Sequence, residues 1–346
     1  INGDMAVAQR GTSVSGASSS GYKAIDRYRH TISIGTWTIS QSTDTPSGEG
    51  FLNSMKMDCT TAEASPGSSD TLILQQKIEP QNLILLKKGT SNAEKITIAF
   101  WIKATKTGTN ILELFDNNNN RQVSKAYTIS SSDTWEKKVI NFPADTTGVL
   151  ANNNNSFNVS FYLGAGSNFT SGTLNTSWSS YVNANRAVGQ VNHGDSTSNN
   201  FYITGVQLEV GEFSSTTLPP FQHESFGDNL RRCERYYYFH CSESKNSNAD
   251  TTIAFGSYYN STTFSFAINT PCEMRAKPTL KQNTGSNMYR IYRNNGNETL
   301  SSFSLDSRGT NKILTATATA SGGTGGQIGE IQTMDGTAFV AFDAEL

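Results

Sequence analysis

The chain has 346 residues, 35% of them hydrophobic and only 16% charged, with Ser, Thr and Asn used heavily. Lys and Arg number 27 against 29 Asp and Glu, a net charge of −2, so no overall positive field exists to hold a phosphate backbone and nucleic-acid binding is not expected. The longest apolar runs, Leu72-Ile73-Leu74 and Leu83-Ile84-Leu85-Leu86, fall far short of the ~18 residues that cross a bilayer, so no membrane insertion is expected.

The start, Ile1-Asn2-Gly3-Asp4-Met5, has neither a basic stretch nor an apolar one and lacks an initiator Met. No secretion signal is expected, and room is left for an upstream segment. Short β-branched and aromatic runs then recur between clusters of Gly, Asn, Ser and Asp, which supply turns. They predict strands at 31–39, 54–59, 71–78, 82–87, 95–104, 110–114, 122–129, 135–142, 156–163 and 201–210. Alternation supports them: Ile96, Ile98, Phe100 and Ile102 share one face, with Trp101 on the other. Ten half-buried strands fit two packed antiparallel sheets, an N-terminal jelly-roll β-sandwich over 1–213. Asn runs at 117–120 and 152–155 read as turns.

Paired prolines, Pro219-Pro220, cannot sit inside a sheet, and they mark a Pro-rich hinge over 214–235. The hinge carries the one convincing helix, with Asp228 as N-cap and Leu230, Cys233 and Tyr237 at i, i+3 and i+7. Strand signals return at 251–258, 262–268, 288–292, 299–305, 313–318 and 337–343, predicting a smaller C-terminal β-sandwich over 236–346. The segment 307–330, with Gly322-Gly323-Thr324-Gly325-Gly326, reads as a hairpin tip or loop. The expected class is all-β: jelly-roll sandwich, short linker helix, second sandwich.

Catalytic chemistry finds little purchase. A glycosidase needs two carboxylates about 5–9.5 Å apart across a cleft; Glu113, Asp116 and Asp195 are the best candidates, and each reads first as a structural or solvated acid. His30, His193, His223 and His240 show no metal-binding spacing. The cysteines Cys59, Cys233, Cys241 and Cys272 fit neither a zinc pattern nor a disulfide framework and are expected to be free. No enzyme activity and no cofactor are expected, apart from a structural calcium at Asp116, where Asn117–Asn120 add hard oxygen ligands.

Binding without charge, of sugars especially, uses aromatic faces and amide or hydroxyl side chains on loops held by a firm scaffold. The stretch 168–195 has that composition and is long enough to be functional. Trp178, Tyr181, Asn183, Asn185, Arg186 and His193 are the candidate ligand-binding residues. Trp178 and Tyr181 make a saccharide platform if exposed and merely anchor the loop if folded back. Trp101 and Trp135 are expected in the core, and Trp37 fits either place. Leu230, Cys233, Tyr236 and Tyr237, with the aromatic strip that follows, are the candidate oligomer interface.

Several phrases coincide with one family: Ile1-Asn2-Gly3-Asp4-Met5 with Ala8-Gln9-Arg10-Gly11-Thr12, Asp26-Arg27-Tyr28, Phe201-Tyr202-Ile203-Thr204-Gly205-Val206-Gln207-Leu208-Glu209-Val210-Gly211, and Leu230-Arg231-Arg232-Cys233-Glu234-Arg235-Tyr236-Tyr237. The chain resembles tail-fibre-like virion structural proteins of tailed bacteriophages, particularly marine ones infecting cyanobacteria and related hosts. Pro271-Cys272-Glu273-Met274-Arg275-Ala276-Lys277-Pro278-Thr279-Leu280 and the terminal Phe342-Asp343-Ala344-Glu345-Leu346 also look like that group. The resemblance implies a virion location, a β-rich and often trimeric fibre, other virion proteins as partners, and a carbohydrate-binding-module-like sandwich turned to host-surface glycans. It implies no catalytic residues. A purely structural virion subunit, such as a head fibre or baseplate component, is the alternative expectation, and a glycan hydrolase the third.

Overall fold

The computed structural model describes residues 1–150, 157–242, 250–294 and 296–346; the Asn run expected as a turn at 152–155 lies outside them. The chain divides into two units, residues 1–226 with Leu346 and residues 227–345. The class is the expected one, all-β with two sandwich regions and a few short helices.

In the first unit the strands are β1 (Ser13–Ala17), β2 (Gly21–Tyr22), β3 (Tyr28–Ile32), β4 (Thr36–Ser42), β5 (Ser54–Thr61), β6 (Thr71–Ile78), β7 (Ile96–Ala104), β8 (Gly108–Asp116), β9 (Arg121–Ile129), β10 (Glu136–Phe142), β11 (Phe157–Ala165), β12 (Ser179–Ser180) and β13 (Asn200–Val210). A six-stranded sheet runs β1-β4-β5-β13-β7-β10, and a seven-stranded sheet runs β12-β9-β8-β11-β6-β3-β2. Their inner faces interdigitate. Phe100 on β7 meets Tyr127 and Phe161 of the opposite sheet edge to face, with ring centroids 5.2 and 5.0 Å apart, as aromatic quadrupoles favour. Ile96, Ile98, Phe100 and Ile102 are all buried in that core, and burying side chains of this size contributes about 1.5–3 kcal/mol each.

Two expected elements are corrected. The strand at 31–39 is two strands in different sheets, broken at Ser33-Ile34-Gly35, because Gly35 takes φ +67 and the backbone turns. A Cβ there would lie 2.5 Å from the Thr61 carbonyl oxygen, so only glycine fits. The strand at 82–87 is a 3-10 helix, Pro80–Leu86, opened by a proline at its first turn. Leu83 and Leu86 point inward at the three-residue repeat, and Ile84 and Leu85 stay exposed.

The phrases that carried the family resemblance in the first 28 residues fold into one knot. The Asn2 amide donates to the carbonyls of Val7 and Asp26 at 2.9 and 3.0 Å, and its oxygen accepts from the Val7 N–H. Asp26 in turn accepts from the Gln9 N–H and pairs with Arg10. Buried polar groups must be satisfied, which explains the residue types without any ligand. The Pro-rich stretch read as part of a hinge lies with this unit: Phe221 and His223 pack on Phe51, with centroids 5.1 and 5.3 Å away.

The second unit opens with α1 (Phe226–Glu234), an amphipathic helix that starts before Asp228, which therefore lies in its first turn instead of capping it. Its strands are β14 (Tyr237–Ser242), β15 (Thr252–Asn260), β16 (Thr263–Asn269), β17 (Thr279–Gln282), β18 (Tyr289–Arg293), β19 (Gly296–Leu300), β20 (Ser304–Leu305), β21 (Ile313–Thr319), β22 (Ile328–Thr333) and β23 (Phe339–Asp343). A three-stranded sheet, β14-β23-β17, and a seven-stranded one, β19-β18-β22-β15-β16-β21-β20, share a core that includes Phe264, Phe266, Tyr289, Phe303, Val340 and Phe342. The Tyr289 hydroxyl joins them by donating to the Phe339 carbonyl at 2.9 Å. The segment 307–330, read as a hairpin tip or loop, contains all of β21 and the start of β22.

Candidate functional site

The loop between β11 and β13 lies over the outer face of the seven-stranded sheet, where Phe169, Leu174 and Ala187 pack with Ile73, Ile111 and Tyr162 in a small second core. Arg186 pins it. Its guanidinium makes two 2.7 Å bonds to the Glu113 carboxylate and lies 5.3 Å from the ring centres of both Phe115 and Tyr181. Bidentate pairing and aromatic contact are what Arg does best when removed from water. Burial works against the Arg186 charge, yet the Glu113 carboxylate more than offsets it and holds the pKa above the ordinary arginine value.

The other loop candidates divide. Trp178 folds back: its indole N–H donates to the Pro143 carbonyl at 2.9 Å and its ring leans on Phe157. It is the loop's anchor. His193 is fully buried, bonded to the Asn110 side-chain oxygen at 2.7 Å and edge-on to Phe201. It belongs to the core rather than to a binding surface. The Asn185 oxygen accepts from the Thr173 N–H at 3.1 Å, a bond internal to the loop. Tyr181 and Asn183 alone stand exposed, joined by a bond from the Tyr181 hydroxyl to the Asn183 oxygen.

The calcium expectation at Asp116 is corrected by its neighbours. Lys88 lies between two carboxylates, 3.0 Å from Asp116 and 2.6 Å from Asp145, and all three side chains are about 1% exposed. A lysine ammonium supplies the positive charge there, and no metal-holding cluster of His, Cys, Asp or Glu is found among the described residues. Burial would raise the Asp145 carboxyl, but the bonds from Arg121 and Lys88 bring it below the usual carboxylate range. The hydrolase candidates are similarly engaged, Glu113 by Arg186 and Asp195 by Lys106.

The expected oligomer strip is corrected as well. Cys233, Tyr236 and Tyr237 are buried within a single chain and Leu230 is half-buried, so three of the four have no apolar surface left for a neighbour. All four cysteines are free thiols.

The sequence placed Trp101 and Trp135 in the core; both are half-buried on the outer side of the six-stranded sheet, and Trp37 is the core tryptophan. The pairing register assembles a row across that face. Ser40 stands beside Lys56, Lys56 beside Tyr202, and Tyr202 beside Lys103. Trp135 follows, its ring 6.1 Å from Tyr202. In the next row Thr204 pairs with Trp101, and Trp101 with Lys137, whose ammonium lies 5.9 Å from the ring centre. Lys103 lies 4.6 Å from the Tyr202 ring.

Asp44 fixes this arrangement by accepting from the Trp135 indole N–H at 3.0 Å and from Lys103. Burial pushes the Asp44 carboxyl up, and those two donors push it down further, leaving it below the ordinary value. The segment carrying Asp44 is held by Phe51, which packs on Gly205, and by Thr204, whose hydroxyl donates to the Asn53 carbonyl at 2.7 Å. The signal for this face was present in Ala99-Phe100-Trp101-Ile102-Lys103, where Trp101 and Lys103 share the parity opposite the core. A separate cleft of about 540 Å³ lies among Ser18, Ser33, Thr36, Thr61, Glu63 and Ser65; it is polar and has no aromatic lining.

No protein-family model matches the chain, and no curated protein matches it. Among solved structures it is similar to a putative sugar binding protein from Bacteroides thetaiotaomicron at 13% identity, covering 60% of this chain and 97% of that one with a TM-score of 0.33. It is similar to the Family 11 Carbohydrate-Binding Module of a cellulosomal cellulase of Clostridium thermocellum at 13% identity, covering 58% and 97% with a TM-score of 0.27. The enzymatically active domain of tailspike protein 4 of bacteriophage CBA120 matches over 50% of this chain and 18% of its own length, at 15% identity and a TM-score of 0.27. At these scores none of the three carries a function over to this chain.

Proposed function

We propose that this protein is a non-enzymatic, glycan-binding subunit of a bacteriophage virion fibre, and that it holds a host-surface polysaccharide on the outer face of the six-stranded sheet. The observation that carries the reading is the pair of half-exposed indoles, Trp101 and Trp135, with Lys56 and Lys137 on the same face, supported by Tyr202 and Lys103, which are themselves only 8% exposed. Sugar rings present apolar C–H faces and a rim of hydroxyls; half-exposed indoles offer stacking surface to the first, and ammonium and hydroxyl groups offer hydrogen bonds to the second. Trp101 is built on β7 and Trp135 is held by its bond to Asp44, so both rings lose little entropy on binding, which favours affinity. The virion part rests on the sequence phrases that resemble fibre proteins. The absence of a catalytic role is supported by Glu113, Asp116 and Asp195, whose carboxylates are each committed to a cation of the same chain.

The test is binding of the labelled protein to host cells and to their extracted surface polysaccharide. Saturable binding that free polysaccharide competes away is expected. Failure of correctly folded protein to bind either would shift the account to a purely structural virion subunit.

A further inference from the structure

The seven-stranded sheet of the second unit buries one face in its core, and its other face is open. Register fixes what that open face carries. Gly256 pairs with Phe266 and Tyr258 with Phe264, both in the core, so Phe255, Ser257 and Tyr259 alternate outward. Ser257 pairs with Ile328 and Phe255 with Glu330, which sets Ile328 diagonally beside Phe255. Continuing the same register places Ala267 abreast of Phe255; Ala267 pairs with Thr315, and Ile313 stands one step further along that strand, opposite Asn269. The result is an apolar diagonal across four strands, Ile328, Phe255, Ala267 and Ile313, bordered by Ser257, Ser265 and Thr317.

Exposure sets this face apart. Of the eleven large apolar side chains left exposed among the described residues, four are here: Phe255 at 71%, Tyr259 at 76%, Ile328 at 74% and Ile313 at 50%. Scattered exposed apolar residues are ordinary, whereas a contiguous stripe marks a contact surface. The ionisable groups on this face are engaged locally: Arg290 pairs with Asp250 at 2.7 Å, and Glu330, abreast of Phe255, accepts from the Thr252 hydroxyl at 3.1 Å.

We propose that this face is where a second copy of the chain docks. A stripe of Phe, Ile and Ala between rows of Ser and Thr, with Glu330 abreast of Phe255, has no cluster of charge to select a charged partner. It is complementary to itself, as a two-fold contact requires. Seven strands about 4.8 Å apart and averaging about 20 Å in length give the whole face an area on the order of 700 Å², near the ~800 Å² per partner that a stable interface buries. Two such faces pack as sheets do, about 10 Å apart. A glycan fits less well, because the exposed isoleucines offer neither stacking faces nor hydrogen bonds. This inference is independent of the glycan site on the first unit.

The experiment is sedimentation equilibrium on the full chain and on Phe255→Lys and Ile328→Glu, two changes at positions more than 70% exposed that leave the core untouched. The parent protein is expected to sediment as an assembly and both variants as monomers with unchanged circular dichroism, the parent alone showing a melting temperature that rises with protein concentration. Oxidative footprinting of the parent gives a second reading that needs no mutation: Tyr259 and Phe255 should be protected at concentrations where the assembly forms and react on dilution. A parent that stays monomeric, or an assembly that survives both substitutions, overturns the proposal. So does a parent monomer whose glycan binding Phe255→Lys removes, since the face would then serve a sugar.

Discussion

The Lys88 ammonium lies 4.4 Å from the centre of the Trp178 ring while bridging the buried carboxylates of Asp116 and Asp145. Lys88 and Arg121 together balance the two acids, and Lys88 also seats the tryptophan that anchors the long loop. Replacing it leaves the buried Asp116 carboxylate without its cation while Asp145 keeps Arg121, a change that typically costs about 3–5 kcal/mol. Lys88→Met should therefore lower the melting temperature sharply, and a chelator added to the parent protein should leave it unchanged, both read by thermal denaturation.

Trp178 and Trp101 should separate stability from binding. Trp178→Ala removes a packed ring and the bond to Pro143, and about 2–3 kcal/mol of stability should go with it, with glycan affinity retained. Trp101→Ala removes a half-exposed cross-strand neighbour worth under about 1 kcal/mol to the fold. Its loss should weaken glycan binding about ten- to hundredfold if the ring buries against sugar. Melting curves and binding isotherms on both variants check the crossing pattern.

Acid should destabilise the protein well above the carboxylate range. Burial, with help from Lys23 at His30 and Lys106 at His193, lowers both imidazole pKa values to about 3, against about 6.5 in an unfolded chain. Between those values the unfolded state binds protons that the folded state refuses, so stability is complete above pH 6.5 and falls as pH drops toward 3. Each histidine should cost about 2 kcal/mol by pH 5. Urea denaturation at pH 7 and pH 5 measures the sum, and His193→Gln should remove about half of the difference.

Gly205 ties the core strand β13 to the binding face. It holds φ +62, and a Cβ would lie 2.6 Å from the Phe51 ring, so Gly205→Ala combines backbone strain with a clash. A loss of about 2 kcal/mol or more is expected. Because Phe51 and Asp44 lie on the same segment, glycan affinity should fall as well, in contrast to Trp178→Ala.

Much of this was legible in the sequence where a single periodicity governs. Ile96, Ile98, Phe100 and Ile102 announced a half-buried strand, and Pro219-Pro220 announced a break. Strand 31–39 failed as one element because a single glycine, Gly35, turned a continuous β-branched run between two sheets. The Leu83-to-Leu86 run misled because four apolar residues fit a buried strand or a tight helix equally, and only Pro80 told them apart. For the site, composition pointed to aromatic and polar binding chemistry, but the loop drew attention for its length. Trp178, Asn185 and His193 spend their polar groups inside the protein, bonds that depend on residues up to 83 positions away and leave no local trace. Trp101 lies on an alternating strand, which suggests the core, but its parity is opposite to that of Ile96, Ile98, Phe100 and Ile102, and parity decides its place.

The most direct test of the central claim is calorimetric titration of host envelope polysaccharide into the parent protein and into the double variant Trp101→Ala, Trp135→Ala. The account predicts saturable binding by the parent and its loss in the double variant, with the circular dichroism spectrum preserved. Equal binding by both proteins would contradict it, placing the sugar somewhere other than the outer face of the six-stranded sheet.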